Sequence, residues 1–129
     1  MTESRERILI VDDEEHVRNL FSRILQKEGY KVQCASSGDE AIDKLANDAF
    51  DLVVTDLKMN GIDGLDLVHK VKGTNQELSF ILISGYGTAQ TALSAAREGV
   101  DFFLMKPIDI SELKSAVQKA LRKESRKPN

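Results

Sequence analysis

The chain is predicted to fold as a doubly wound α/β domain around a parallel sheet, on three observations. Short apolar runs alternate along the sequence with apolar stripes of helical period. The runs are unbroken rather than alternating, which is the pattern of strands covered on both faces. Turn and capping residues fall where one pattern gives way to the other. Such alternation is met by parallel strands joined through right-handed helical crossovers.

The first strand is the run Ile8 to Val11. Val17, Leu20, Phe21, Ile24 and Leu25 then recur at helical spacing as one apolar stripe, and Gly29 stands where a left-handed residue ends a helix. Lys31 to Ala35 alternates more and is less apolar, so it belongs at a sheet edge. Ser37 with Glu40 has capping-box spacing and opens a second helix bearing Ala41, Ile42, Leu45 and Ala46. Leu52 to Thr55 is the third strand, and Leu65, Val68 and Val71 sketch the third helix. Phe80 to Ile83 is the fourth strand. The fourth helix carries the stripe Ala89, Ala92, Leu93 and Ala96, mostly small and so weakly anchored, with Gly99 after it. Phe102 to Met105 is the fifth strand, whose adjacent rings point to opposite faces or both serve packing. Asp109 with Glu112 opens the fifth helix, whose stripe of Ile110, Leu113, Ala116, Val117, Ala120 and Leu121 is the cleanest.

Composition narrows the class. A length of 129 residues suits one domain, expected over 5–123, with 124–129 a polar tail or the start of a linker. Basic residues number 18 against 21 acidic, which argues against direct nucleic-acid binding and against a membrane surface. The cluster Lys119, Arg122, Lys123, Arg126 and Lys127 reads as a cationic helix end followed by a linker. The single cysteine, Cys34, excludes an internal disulfide and a cysteine-based zinc site, and reads as a small packed hydrophobe. No apolar run exceeds four residues and the first residues carry mixed charge, so neither a membrane span nor a signal peptide is expected. The expectation is a cytoplasmic domain.

In an open α/β sheet, ligands bind beyond the carboxyl ends of the strands. There the first strand delivers Asp12-Asp13, the third Asp56, the fourth Ser84 and the fifth Lys106. Three converging carboxylates repel one another, and one lysine does not neutralise them. With oxygen ligands only, the cluster suits a hard divalent cation, Mg²⁺ before Ca²⁺. A metal and Lys106 would stabilise phosphoryl charge, Ser84 would donate a hydrogen bond, and one aspartate would attack phosphorus. Each residue also has a plainer reading alone: Asp12 as a helix cap, Ser84 as a turn hydroxyl, Lys106-Pro107 as a loop start. The joint placement favours the aspartyl-phosphate site. His16 and His69 sit among charged neighbours and read as solvated helix residues rather than ligands.

Asp12-Asp13, Asp56-Leu57-Lys58-Met59 with Gly64, Ser84-Gly85 and Lys106-Pro107, in this order and spacing, resemble the receiver domains of two-component response regulators. That resemblance implies a flavodoxin-like sheet of order 2-1-3-4-5 with five helices. It implies Asp56 as phosphoacceptor, and Mg²⁺ held by Asp13, Asp56 and the backbone carbonyl of Lys58, with Asp12 acting through water. Lys106 would pair with the phosphoryl group, and its bond to Pro107 would be cis. Ser84 would be the switch hydroxyl, Phe103 the switch aromatic, and Lys58 and Tyr86 would tune dephosphorylation. The implied donor is a sensor histidine kinase or a phosphotransfer protein. The implied role is a switch rather than an enzyme, with at most slow autodephosphorylation. Its signalling face would be the fourth helix, fifth strand and fifth helix, read by a partner, a linked output module or a second copy.

Three positions depart from the family pattern. Asn60 replaces a common proline, although Asn60-Gly61 is itself a strong turn pair. Gly85 replaces alanine, and Phe103 replaces a frequent tyrosine and brings no hydroxyl. Two other readings of the same residues are weaker. A haloacid-dehalogenase-type phosphatase wants Asp-x-Asp where this chain has Asp56-Leu57-Lys58, and needs room for a cap domain. An adaptor that works without phosphorylation usually lacks one of the acidic residues or the lysine, all of which are present here.

Overall fold

The computed structural model describes residues 6–122. The tail expected over 124–129, the outer domain limits at 5 and 123, and Lys123, Arg126 and Lys127 lie outside the described residues. Ten elements alternate: β1 (Arg7–Val11), α1 (Glu15–Lys27), β2 (Lys31–Ala35), α2 (Gly38–Asn47), β3 (Leu52–Asp56), α3 (Gly64–Lys72), β4 (Ser79–Ser84), α4 (Ala89–Arg97), β5 (Phe102–Met105) and α5 (Ile110–Leu121). All the pairings are parallel and the strand order is β2-β1-β3-β4-β5, the flavodoxin-like arrangement. Chain order reverses direction at β1, between β2 and β3, so the carboxyl ends of β1 and β3 flank a topological switch point.

Strand alternation divides the core into layers. Ile8, Ile10, Leu52, Val54, Ile81, Ile83 and Leu104 meet Phe21 and Leu25 of α1 and Leu113, Ala116, Val117 and Ala120 of α5, while Ile110 of the expected α5 stripe is exposed. Leu9, Val11, Val53 and Phe80 face the other way, onto Ala41 of α2 and Leu67, Val68 and Val71 of α3. A small third cluster of Leu57, Leu82 and Ala95 lies under α4. The two rings of β5 separate accordingly: Phe102 packs with the α1/α5 layer and Phe103 with the α4 cluster.

Three local expectations are corrected. β5 is not covered on both faces. It is the sheet edge that the order 2-1-3-4-5 implies, but Met105 is 43% exposed although its run is unbroken. The α4 stripe is rotated: Ala95 is buried, whereas Ala89, Leu93 and Ala96 face solvent. In α3 the fully buried Leu67 adds to Val68 and Val71, while Leu65 is only half-buried. Packing decides these faces, and short stripes of small side chains leave helical phase poorly specified.

The helix ends show why the chain turns where it does. Ser37 Oγ accepts from the Glu40 N–H at 3.1 Å, as a capping box requires. The Glu40 carboxylate, however, reaches one residue further back, to the N–H and hydroxyl of Ser36. Asp109 caps α5 through the Ser111 N–H. Asp63 and Thr88 cap α3 and α4, and lack the glutamate three residues on that would have flagged them in the sequence. Gly29 and Gly99 have positive φ, just past α1 and α4.

Candidate functional site

The site begins with strands that end in polar residues. β3 runs buried through Leu52, Val53, Val54 and Thr55, and its last residue, Asp56, is only 7% exposed. Asp12 follows β1 and is equally enclosed, whereas Asp13 beside it is exposed. Asp12 is fixed from several sides. Its N–H donates to the Ala35 carbonyl, its Oδ1 accepts from the Glu14 N–H at 2.9 Å, and its carbonyl accepts from Arg18. The side chain therefore closes a two-residue turn before α1, while Glu14 occupies the formal cap position without a side-chain cap bond.

Oxygens of Asp12, Asp13 and Asp56 lie within 4.8 Å of one another. Burial is the main influence raising the Asp56 carboxyl above its ordinary range; Asp13 adds to it, and Lys106 opposes it. Burial also dominates at Asp12, helped by the charges of Asp56 and Asp13 and opposed by the Glu14 N–H and Lys106. The Lys106 ammonium sits 3.3 Å from Asp56 Oδ1. Three carboxylates against one ammonium leave excess negative charge in a partly closed site. An all-oxygen donor set with one open side suits a hard divalent ion that keeps part of its water shell.

The remaining wall comes from β4 and the residue after β5. Ser84, the last residue of β4, is buried, and its Oγ accepts from the Tyr86 N–H at 2.9 Å. The N–H of Lys106 donates to the Ser84 carbonyl at 2.8 Å, which ties the two strand ends together. The Lys106–Pro107 peptide is cis. Phe103 stands apart from the carboxylates, half-buried against Leu57, Leu82 and Ala95. Lys58 is exposed, and Tyr86 is 76% exposed.

Gly64 controls how closely α3 approaches the end of β3. Its N–H donates to the Leu57 carbonyl, and a Cβ there would lie 2.5 Å from the Asp56 carbonyl oxygen and 3.1 Å from Leu57 Cα. Only glycine lets the helix start against that backbone. At the nearby turn Gly61 has φ +81°, so Asn60-Gly61 makes the bend without proline.

Several sequence readings lie elsewhere. His16 is a solvated helix residue 3.6 Å from Glu14, and His69 bonds Glu98 across α3 and α4 at 3.0 Å. Cys34 is half-buried in the edge strand, its Sγ 3.0 Å from Ser22 Oγ. The contact that sequence reasoning missed is Arg18. It continues the buried face of Phe21 and Leu25 one turn toward the strand ends, and a cation in line with an apolar stripe was the available signal.

Comparison with known proteins places this architecture. The family model for the response regulator receiver domain matches residues 8–118. The chain belongs to that family. Regulatory protein AtoC of Escherichia coli is 35% identical to this receiver domain over 121 residues, which are 94% of this chain and 26% of AtoC. The domain thus spans about a quarter of the length of that relative. Sporulation initiation phosphotransferase F of Bacillus subtilis is 34% identical over 116 residues, 90% of this chain and 94% of the relative. Among solved structures, response regulator protein TrrA of Thermotoga maritima, in complex with Mg²⁺–BeF, superposes with a TM-score of 0.82 at 35% identity. That match covers 90% of this chain and 99% of the other. Membership makes this a domain of two-component signalling. No helix among the described residues is long and apolar enough to cross a membrane.

Proposed function

We propose that this receiver domain accepts a phosphoryl group on Asp56 and converts it into a change of surface around α4 and β5. One observation carries the reading: the enclosed Asp56 carboxylate lies between two further carboxylates and the Lys106 ammonium. Asp13, Asp56 and the Lys58 backbone carbonyl would hold Mg²⁺ directly, and Asp12 through water. When bound, Mg²⁺ offsets the negative charge of phosphoryl oxygens next to the carboxylates. An Asp56 oxygen forms the bond to phosphorus while the donor's bond to phosphorus breaks. Lys106 follows the charge from the carboxylate to a phosphoryl oxygen.

Ser84 and Phe103 link that chemistry to the surface. The Ser84 hydroxyl now accepts from Tyr86, and turning its O–H toward the phosphoryl group draws the loop with it. Phe103 moves into the space released, away from Ala95 and the weakly anchored α4. The phosphoryl group shifts the population through contacts made only in the active arrangement. Lys58 and Tyr86, exposed beside the site, tune how long the phosphate lasts.

The donor is a sensor histidine kinase or a phosphotransfer protein, and the readout a partner, a linked output module or a second copy. The complex of TrrA with Mg²⁺–BeF supports a metal and a phosphoryl-shaped ligand at this site. The domain is a switch rather than an enzyme, with slow autodephosphorylation as its own chemistry, and works in the cytoplasm, where phosphodonors are made. Incubation with Mg²⁺ and a small-molecule phosphodonor, followed by intact-mass measurement, tests this. We expect one added phosphoryl group, absent in Asp56→Asn and without Mg²⁺. No added mass, together with no binding of a stable phosphoryl mimic, would overturn it.

A further inference from the structure

We propose that Arg18 is a positioning residue for the metal-binding turn, acting on Asp12-Asp13 through the backbone rather than through its charge. The inference rests on the reading of the carboxylates as a Mg²⁺ site. Arg18 Nη1 donates to the Asp12 carbonyl at 2.8 Å, six residues back along the chain. Asp12 sits between the buried end of β1 and the exposed Asp13, so the orientation of its peptide sets where the Asp13 carboxylate points.

Arg18 is itself half-buried near the start of α1. It extends the buried face of α1, in line with Phe21 and Leu25. Its charge also reaches Glu40 at the start of α2, whose carboxylate is clamped by the N–H and hydroxyl of Ser36. The guanidinium thus bonds the backbone of the β1–α1 turn, which contains Asp12, within electrostatic reach of the β2–α2 turn. A group that orients a metal-binding segment in this way typically changes metal affinity by about 10-fold or more when removed.

The sign of the effect separates positioning from electrostatics. Removing a cation near an acidic site should, on charge alone, leave Mg²⁺ binding unchanged or tighten it. Positioning predicts the reverse. Mg²⁺ titrations of the whole chain, followed by amide chemical shifts, would compare wild type, Arg18→Ala, Arg18→Lys and Asp13→Asn. Alanine is favourable inside a helix, so α1 should persist in the first variant, and a thermal melt checks this. The lysine variant keeps the charge but loses the planar fork, and serves if the alanine variant fails to fold.

We expect Arg18→Ala to bind Mg²⁺ about 10-fold more weakly, with Arg18→Lys in between and shift changes centred on residues 12–14. A folded Arg18→Ala that binds Mg²⁺ as tightly as wild type, or more tightly, would overturn the proposal. So would a fall in melting temperature with no change in Mg²⁺ affinity, which would make Arg18 merely structural. If wild type fails to bind Mg²⁺, or Asp13→Asn binds it equally well, the metal reading itself falls, independently of Arg18.

Discussion

The carboxylate half of the site, at the ends of β1 and β3, and the half around α4 and β5 are built to different standards of packing. In the first, Asp12 and Asp56 are enclosed, α3 begins in contact with the β3 backbone, and Leu67, Val68 and Val71 are buried behind it. In the second, Ala95 alone anchors α4 at full burial, and Tyr86, Leu93 and Met105 stand largely in solvent. Phosphoryl chemistry needs donors held in place before the charge arrives, which close packing supplies. A switch needs an element whose alternative packing differs by only a few kcal/mol, and a helix with one small buried anchor supplies that.

The largest test of this contrast pairs two leucines. Leu67→Ala in α3 empties a fully buried position and should cost about 3 kcal/mol, read by chemical denaturation. Leu93→Ala in α4, half in solvent, should change stability by less than about 0.5 kcal/mol. Similar losses at the two positions would mean that α4 is anchored as firmly as α3, and the contrast would fail.

Gly64→Ala sharpens the same comparison at closer range. Its Cβ would meet backbone atoms of Asp56 and Leu57, which yield less readily than a side chain. A cost of about 2 kcal/mol is expected, with a slower gain of phosphoryl mass because the backbone of Asp56, the proposed phosphoacceptor, is displaced. Unchanged phosphorylation in a folded variant would show that the close approach of α3 does not set the site.

The third prediction concerns pH. Both Asp12 and Asp56 have carboxyls raised above the ordinary 3.8, burial being the first cause. A raised carboxyl contributes stability that is complete below its unfolded value and is lost as pH rises through its folded value. Without divalent ions, wild type should therefore lose stability relative to Asp56→Asn as pH climbs from near 4 toward 7. At neutral pH the variant should melt about 3–5 °C higher, the shift that about 1 kcal/mol gives a domain of this size. A gap that stays constant with pH would contradict the burial argument, and added Mg²⁺ should narrow the gap.

The firmly packed half was the easier one to read from the sequence. Ile8–Val11 and Leu52–Thr55 are unbroken runs that end in aspartates, so strand, face and site residue follow from one pattern. The sheet order also came through, because the strand-end motifs are specific to the family. Reading was less secure where packing is slack. In α4 Ala89, Ala92, Leu93 and Ala96 form a helical stripe, yet all but Ala92 face solvent, since small side chains bury too little area to fix the phase of a helix. β5 lies at the edge, as the sheet order implies, but its unbroken apolar run suggests cover on both faces, which the exposed Met105 lacks. Arg18 stands in line with an apolar stripe, but its partner is a backbone carbonyl, which the side-chain pattern alone does not name.

The most direct test of the central claim, that charge placed in the firm half moves the slack half, is a comparison of amide signals before and after binding of fluoroberyllate with Mg²⁺. The account predicts shifts at the carboxylates and a second, contiguous set across residues 84–108, with α2 and the body of α3 unmoved. Changes confined to the carboxylates and α1, with the signals of 84–108 unaltered, would contradict it.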